Sequence, residues 1–438
     1  MKNTAIIYLS AILAMSSPAI ALAGGADKVD MPQYPHTTTP FGNFYVGANI
    51  GRDSTGLRYT RTNTNSALNR EYKDESLQGW AGGLFTGYSF NITPRYFVGL
   101  EGFYRWDSSR FSFTEGTDST TLYKYKKSYE LGASLLPGMH LGNENIYIRA
   151  GWVRAKFTRN AESTARASAE QFNKKSNGIQ LGLGIKNQII NHLFLQMDYI
   201  YSYFQKFHNT DNAGNDDNFY RPISNQFLLG LMYEFGHHAS NASKQAHLKM
   251  SSLYAGIEGI YNATRVITIA DRGANADETW DRLIRGGKIG MNLGYSRLFW
   301  KHFYFGEEAS LQFLQTKYTH DNNHYSLRDG FRYGLSVVPG YAINQSNILF
   351  TKLGWQRAKF KKSGNEATGT NRGPNFSTYK NGLMLGLGFE TALTSTLSLK
   401  TEYDYTRFAR IRNTRATTEH FTYKPQSSQY IVGLSYHF

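Results

Sequence analysis

Tyr430-Ile431-Val432-Gly433-Leu434-Ser435-Tyr436-His437-Phe438 is the stretch on which the reading of the fold turns. Side chains alternate at period two along a strand, so Tyr430, Val432, Leu434, Tyr436 and Phe438 share one face, leaving Gly433, Ser435 and His437 on the other. One face is greasy and the other is small or polar. A strand that shows lipid on one side and a polar lumen on the other requires this division.

The stretch has a twin earlier in the chain. Gln226 to Phe235, QFLLGLMYEF, answers to Gln429 to Phe438, QYIVGLSYHF. Gly151-Trp152-Val153-Arg154-Ala155-Lys156-Phe157 returns 203 residues on as Gly354-Trp355-Gln356-Arg357-Ala358-Lys359-Phe360. Pro137-Gly138 and Leu181-Gly182-Leu183-Gly184 return as Pro339-Gly340 and Leu385-Gly386-Leu387-Gly388. Matches at one shared offset, give or take about a residue, mark an internal duplication. The units run over residues 43–235 and 251–438, joined by a polar linker, 236–250.

Within each unit, alternating segments are separated by unequal connections. Asn91 to Arg95, Leu141 to Asn145 and Ile190 to His192 are tight turns, whereas Arg52 to Ser76, Asp107 to Lys126, Thr158 to Ser176 and His208 to Ser224 are long and polar. Short turns on one side and long loops on the other are the habit of transmembrane barrels. The expectation is an all-β chain of two tandem, eight-stranded, antiparallel up-and-down transmembrane barrels. One fused barrel of sixteen strands is the alternative, with the linker and the first unit's own terminal-type strand favouring two.

Residues 1–23 read as a signal peptide. Lys2 supplies the positive start, Ala5 to Met15 are largely apolar, and Ala21-Leu22-Ala23 fits the small-x-small cleavage rule. Residues 24–42, with Pro32, Pro35 and Pro40, read as a periplasmic leader. No other run approaches the roughly 20 apolar residues of a spanning helix. Mean hydropathy is −0.48, a value compatible with barrel strands because they are only half apolar. The chain has no cysteine, which rules out disulfides and thiolate metal sites. Its 31 Tyr and 28 Phe suit girdles at two membrane interfaces.

Signal, strand rhythm, turn alternation and the closing Phe438 together resemble the small outer-membrane barrels of the OmpA/OmpX and opacity-type surface antigens, once per unit. That resemblance implies the outer membrane of a Gram-negative bacterium and a surface or structural role. It also implies that Tyr430, Val432, Leu434, Tyr436 and Phe438 form the assembly signal recognised by the barrel-insertion machinery. The competing class is a passive porin, which needs the fused barrel with its wider lumen.

Strand phase places charged groups inside: Leu195, Met197 and Tyr199 share one face against Gln196, Asp198 and Ser202, and the second copy puts Leu397, Leu399 and Tyr403 outward and Lys400, Glu402 and Asp404 inward. Glu101, Arg149 and Asp198 in the first unit, and Glu308, Lys352 and Glu402 in the second, form an expected lumen ion network, since a buried charge without a partner costs several kcal/mol. The net charge of +15 gathers at one end. Arg154, Lys156, Arg357, Lys359, Arg410 and Arg412 mark a basic rim, flanked by Arg159 and Lys362. Lipopolysaccharide phosphate is the expected partner of that rim, beside outer-membrane lipid and a candidate host surface ligand. Nucleic acid is not expected of an exported chain without a recognition module. No enzyme, cofactor or metal is expected either. His320, Asp321, His324 and Ser326 share a loop but lack a nucleophile and base at motif spacing, and His237-His238 is an ordinary linker pair. The Gly-rich runs lie mid-strand, the wrong context for a phosphate loop.

Overall fold

In the computed structural model the described residues are 42–63, 70–115, 121–141, 144–162, 171–190, 192–210, 216–236, 247–272, 275–300, 302–320, 325–364, 374–416 and 419–438. The expected signal peptide, nearly all of the leader and most of the linker lie outside them. Every regular element among the described residues is a β-strand.

The first unit comprises β1 (Asn43–Asn63), β2 (Arg70–Asn91), β3 (Tyr96–Asp107), β4 (Arg110–Glu115), β5 (Thr121–Leu141), β6 (Glu144–Glu162), β7 (Phe172–Ile190), β8 (Leu193–Phe204), β9 (Phe207–Thr210) and β10 (Asp216–Phe235). Neighbours pair antiparallel in chain order, and β1 pairs with both β2 and β10, so the sheet closes on itself. β4 continues β3 along β5, and β9 continues β8 along β10. The result is a barrel of eight staves, two of them interrupted.

The second unit repeats the plan with β11 (Ser252–Arg272), β12 (Asn275–Phe299), β13 (Phe303–Phe313), β14 (Thr316–His320), β15 (Tyr325–Ala342), β16 (Asn347–Gly364), β17 (Phe376–Ala392), β18 (Leu397–Phe408), β19 (Ile411–Ala416) and β20 (Glu419–His437). It closes through β11 against β20. Each unit is sealed by its own first and last strand, so the chain forms two barrels. The fused sixteen-stranded alternative is excluded.

The strands are longer than the alternating segments of the sequence. Arg52 to Ser76, expected as a loop, instead carries β1 to Asn63 and starts β2 at Arg70, paired as far as Arg61↔Arg70. A span needs about 9–11 residues, so roughly half of these strands stands outside the membrane. There the outward face meets water, and the apolar-out signal vanishes from the sequence. The inward alternation persists at buried Leu57 and Leu77.

Aromatic side chains band the outer surface at two levels. Phe44, Phe235, Tyr96 and Phe303 lie exposed near the periplasmic ends, and Trp80, Trp106, Trp152 and Tyr379 near the upper boundary, as interfacial girdles do. The two barrels also touch. The outward faces of β8 and β10 pack on those of β18 and β20, with Tyr199 and Tyr430 ring centroids 5.1 Å apart and Phe227 stacked on Tyr403 at 5.3 Å. Tyr430, expected to face lipid, is therefore buried in this seam.

The linker boundary moves as well. Leu248 and Met250 are buried among Tyr304, Val338, Ile348 and Phe350, the apolar layer at the periplasmic end of the second barrel. Backbone bonds from Leu248 N to Gln345 O (3.0 Å) and from Lys249 N to Ser395 O (3.3 Å) hold the segment there. The last residues of the linker thus serve the second barrel as a cap.

Candidate functional site

The inward positions of each barrel stack in layers. In the middle of the first barrel, Arg149 Nη1 lies 2.6 Å from Glu101 and Nη2 lies 3.3 Å from Asp198. Tyr147 Oη donates to Asp198 at 2.8 Å, Gln196 Nε2 to Asp198 at 2.6 Å, and Tyr45 Oη to Glu101 at 3.3 Å. The charged side chains are at most 2% exposed. Pleat alternation on β3, β6 and β8 aims all three inward, and the barrel's small radius makes them meet.

In the second barrel Lys352 Nζ lies 2.6 Å from Glu308 and 2.8 Å from Glu402. A second cation joins them here. Lys400 Nζ approaches Glu308 at 2.7 Å, Glu402 at 3.4 Å and Glu258 at 3.5 Å. Glu258, Glu308 and Glu402 can each bring one oxygen within 4.8 Å of the others, and the lysine ammoniums supply the countercharge in their midst. Lys400 faces inward in the sequence reading, but Glu258 was not singled out there. Its signal was available, because Glu258 sits between Gly256 and Ile260 on the inward face of β11.

A second polar layer lies above the first. In the first barrel Lys127 Nζ lies 3.0 Å from both Asp53 and Asp107 and 2.9 Å from Glu130, which Arg105 also contacts at 2.6 Å. In the second, Asp329 pairs with Lys288 at 2.9 Å and with Arg332. Of these, Asp53 and Asp107 fall in the segments expected as loops, whereas Arg105, Lys127, Glu130, Lys288 and Arg332 lie on strands at inward-facing positions. Higher still, buried aromatic clusters fill the extracellular extensions, with Phe111, Phe157, Phe204 and Tyr220 in one barrel and Phe360, Phe408, Phe421 and Tyr423 in the other.

Of the rim residues, Arg154, Lys359, Arg410 and Arg412 are exposed, and Lys156 and Arg357 are half-buried. None of the six makes an ion pair with a described residue. Arg357 and Lys359 flank the Tyr379 ring at 5.6 and 5.7 Å. Arg159 and Lys362 depart from the expected rim, because strand phase turns both inward. Arg159 donates to Tyr220 Oη at 3.0 Å, and Lys362 donates to Pro374 O at 3.3 Å. Above the membrane, burial pushes the Asp281 carboxyl above its ordinary range, although Arg265 Nε donates to it from 2.8 Å. In the loop considered for catalysis, Asp321 and His324 lie outside the described residues, and Ser326 Oγ sits 2.8 Å from Ser363 Oγ.

Tyr436 and Phe438 are exposed at the periplasmic end of the last strand, their rings 5.1 Å apart, and Val432 and Leu434 are half-buried. The family model for the outer membrane protein beta-barrel domain matches the chain twice, over residues 9–235 and 238–438. The chain belongs to that family. The outer membrane protein beta-barrel family fixes the location as the outer membrane of a Gram-negative bacterium, and it accounts for both halves.

Among solved structures, Ail, the attachment invasion locus protein of Yersinia pestis in complex with the heparin analogue sucrose octasulfate, is similar at 17% identity. The match covers 43% of this chain and 99% of Ail, with a TM-score of 0.26. Neisserial surface protein A is similar at 14% identity over 44% of this chain and 97% of its own, TM-score 0.26. The Pseudomonas putida toluene transporter TodX is similar at 10% identity over 91% of each chain, TM-score 0.28. A comparison with curated protein sequences finds no match.

Proposed function

We propose that this outer-membrane chain is a surface and structural protein made of two sealed barrels. Its contacts are made by the basic extracellular rim, with lipopolysaccharide as the first partner and a host surface ligand as the second. The observation that carries the reading is the dryness of the lumen side chains. A water-filled pore wets its lining, yet Arg105, Arg149, Arg332 and Lys127 are each less than 2% exposed. In a barrel of eight staves the side chains fill the interior, and charges held in such a space must find partners there. The ion networks are then plugs that hold each barrel in register, and the residues left to act on the outside world are those of the rim. The Tyr430-to-Phe438 face is the proposed address read by the insertion machinery.

The test is single-channel recording of the refolded chain, freed of residues 1–23, in a planar bilayer at high salt. Protein shown to be inserted is expected to give no stable conductance steps. Large, long-lived steps refute the sealed reading and make Arg149, Lys352 and their carboxylate partners the selectivity residues of a channel.

A further inference from the structure

Both barrels are interrupted at equivalent places on their outer walls, after Phe204 in the first and after Phe408 in the second. At the second break a cavity of about 370 Å³ opens on the outside of the barrel, lined by Trp355, Leu383, Arg407, Arg410, Lys424 and Pro425 among others. Trp355 pairs with Leu383, Leu383 with Arg407, and Arg407 with Gln426. These four thus form one row across β16, β17, β18 and β20, at the level where Trp80, Trp106 and Trp152 band the first barrel.

The duplication supplies an internal control. The matching row of the first barrel, Trp152, Ile179, Tyr203 and Ile223, is paired in the same register. There the positions of Arg407 and Gln426 hold a ring and an aliphatic chain. The cations of the first barrel are also engaged, with Arg221 over Tyr203 at 5.7 Å and Lys206 over Phe219 at 3.6 Å. In the second barrel Arg407, Arg410 and Lys424 make no ion pair, hydrogen bond or ring contact with a described residue. Three such cations therefore surround an apolar groove, in a wall whose counterpart carries Tyr203 and Ile223 in place of Arg407 and Gln426.

We propose that this groove is a discrete binding site for one phosphorylated glycolipid of the outer leaflet. Arg407, Arg410 and Lys424 take its phosphate, and Trp355, Leu383 and Pro425 take the first segment of an acyl chain. The chemistry favours a lipid over a soluble anion, because the cations stand at the interface and the β17 side of the floor is apolar and open, with Leu383 77% and Leu385 57% exposed, while Tyr403 and Tyr430 in the seam close the other side. Arg and Lys hold phosphate by charge-assisted hydrogen bonds, strongest where water is scarce. The site deepens the rim reading and rests on it, since it assumes that this end faces the outer leaflet.

The test uses the full chain in lipid discs doped with lipid A, with dephosphorylated lipid A or with phosphatidylglycerol, and native mass spectrometry counts the retained lipid. The variant is Arg407→Tyr with Gln426→Ile, the pair that the first barrel carries at these positions; a second variant, Arg154→Gln with Lys156→Gln, alters the rim elsewhere. Lipid A is expected to be retained by the wild type and lost about tenfold by the first variant, the worth of one charge-assisted contact. The second variant and the dephosphorylated probe report whether the loss belongs to this groove and to phosphate. Equal losses in both variants overturn the discrete site and leave a diffuse basic rim. No preference of the wild type for the phosphorylated form overturns the site and the rim reading together. Equal retention of phosphatidylglycerol overturns the glycolipid and makes the site one for any anionic lipid.

Discussion

Replacing Arg149 by Met tests whether the lumen networks are structural keystones. The guanidinium sits between two carboxylates, 2.6 Å from Glu101 and 3.3 Å from Asp198, with side chains no more than 2% exposed. At an effective dielectric of about 20 each contact is worth roughly 5 kcal/mol gross, much of it cancelled by the cost of burial. Removing one partner strands the others, and such truncations cost about 3–5 kcal/mol. Asp198 keeps the donors Tyr147 and Gln196, which argues for the lower end, about 3 kcal/mol. Lys352→Met should cost less, about 1–2 kcal/mol, because Lys400 remains 2.7 Å from Glu308 and 3.4 Å from Glu402. Neutralising the first network whole, as Glu101→Gln with Arg149→Met and Asp198→Asn, should recover most of the loss. The assay is urea unfolding in lipid vesicles, followed by the mobility difference between folded and unfolded barrel on gels. A loss below about 1 kcal/mol for Arg149→Met, or a larger loss for Lys352→Met, refutes the reasoning.

Leu248→Ala should destabilise the second barrel by about 2–3 kcal/mol and leave the first unchanged, because Leu248 is 7% exposed in the apolar layer at the end of that barrel alone; vesicle unfolding with a reporter in each unit separates the two. Cysteines placed at Tyr199 and Tyr430, in a chain that has none, should join within one molecule through a short bismaleimide, since the two rings lie 5.1 Å apart. A gel that shows only products between molecules refutes the seam.

Much of this architecture was legible in the sequence for one reason. Inside the bilayer the two faces of a strand meet lipid and lumen, so every second residue declares its side. Leu195, Met197 and Tyr199 against Gln196, Asp198 and Ser202 gave the phase of β8, and with it the inward position of Asp198. The duplication gave the same phase again for Lys400, Glu402 and Asp404. Legibility ended at the outer boundary, where both faces became polar and strands such as β1 and β2 looked like loops. Asp53 and Asp107 lie in those stretches. Arg159 and Lys362 leave the expected rim for a related reason: charge alone places them there, whereas strand phase turns both inward. The burial of Tyr430 was illegible for another, since nothing in a lipid-facing strand distinguishes lipid from a second barrel.

That seam follows from weaker forces than those that close each barrel. Two apolar walls in a bilayer gain no hydrophobic energy by meeting, so close packing and a few polar contacts must hold them. Here the packing is aromatic, Tyr199, Phe227, Tyr403 and Tyr430 lying with centroids 5.1–5.9 Å apart in successive pairs, and at the periplasmic end the side-chain amides of Asn347 and Asn187 meet at hydrogen-bonding distance, 3.3 Å. Rings in offset pairs add about 0.5–1.5 kcal/mol each. Such a seam is modest between free molecules, but the covalent link sets an effective concentration in the millimolar range, at which about 4 kcal/mol suffices for half occupancy. Anchoring Leu248 and Met250 in the second barrel shortens the chain that joins the two units and raises that concentration further. The burial that caps one barrel therefore also favours the pairing of both, and the two rims are presented as one surface.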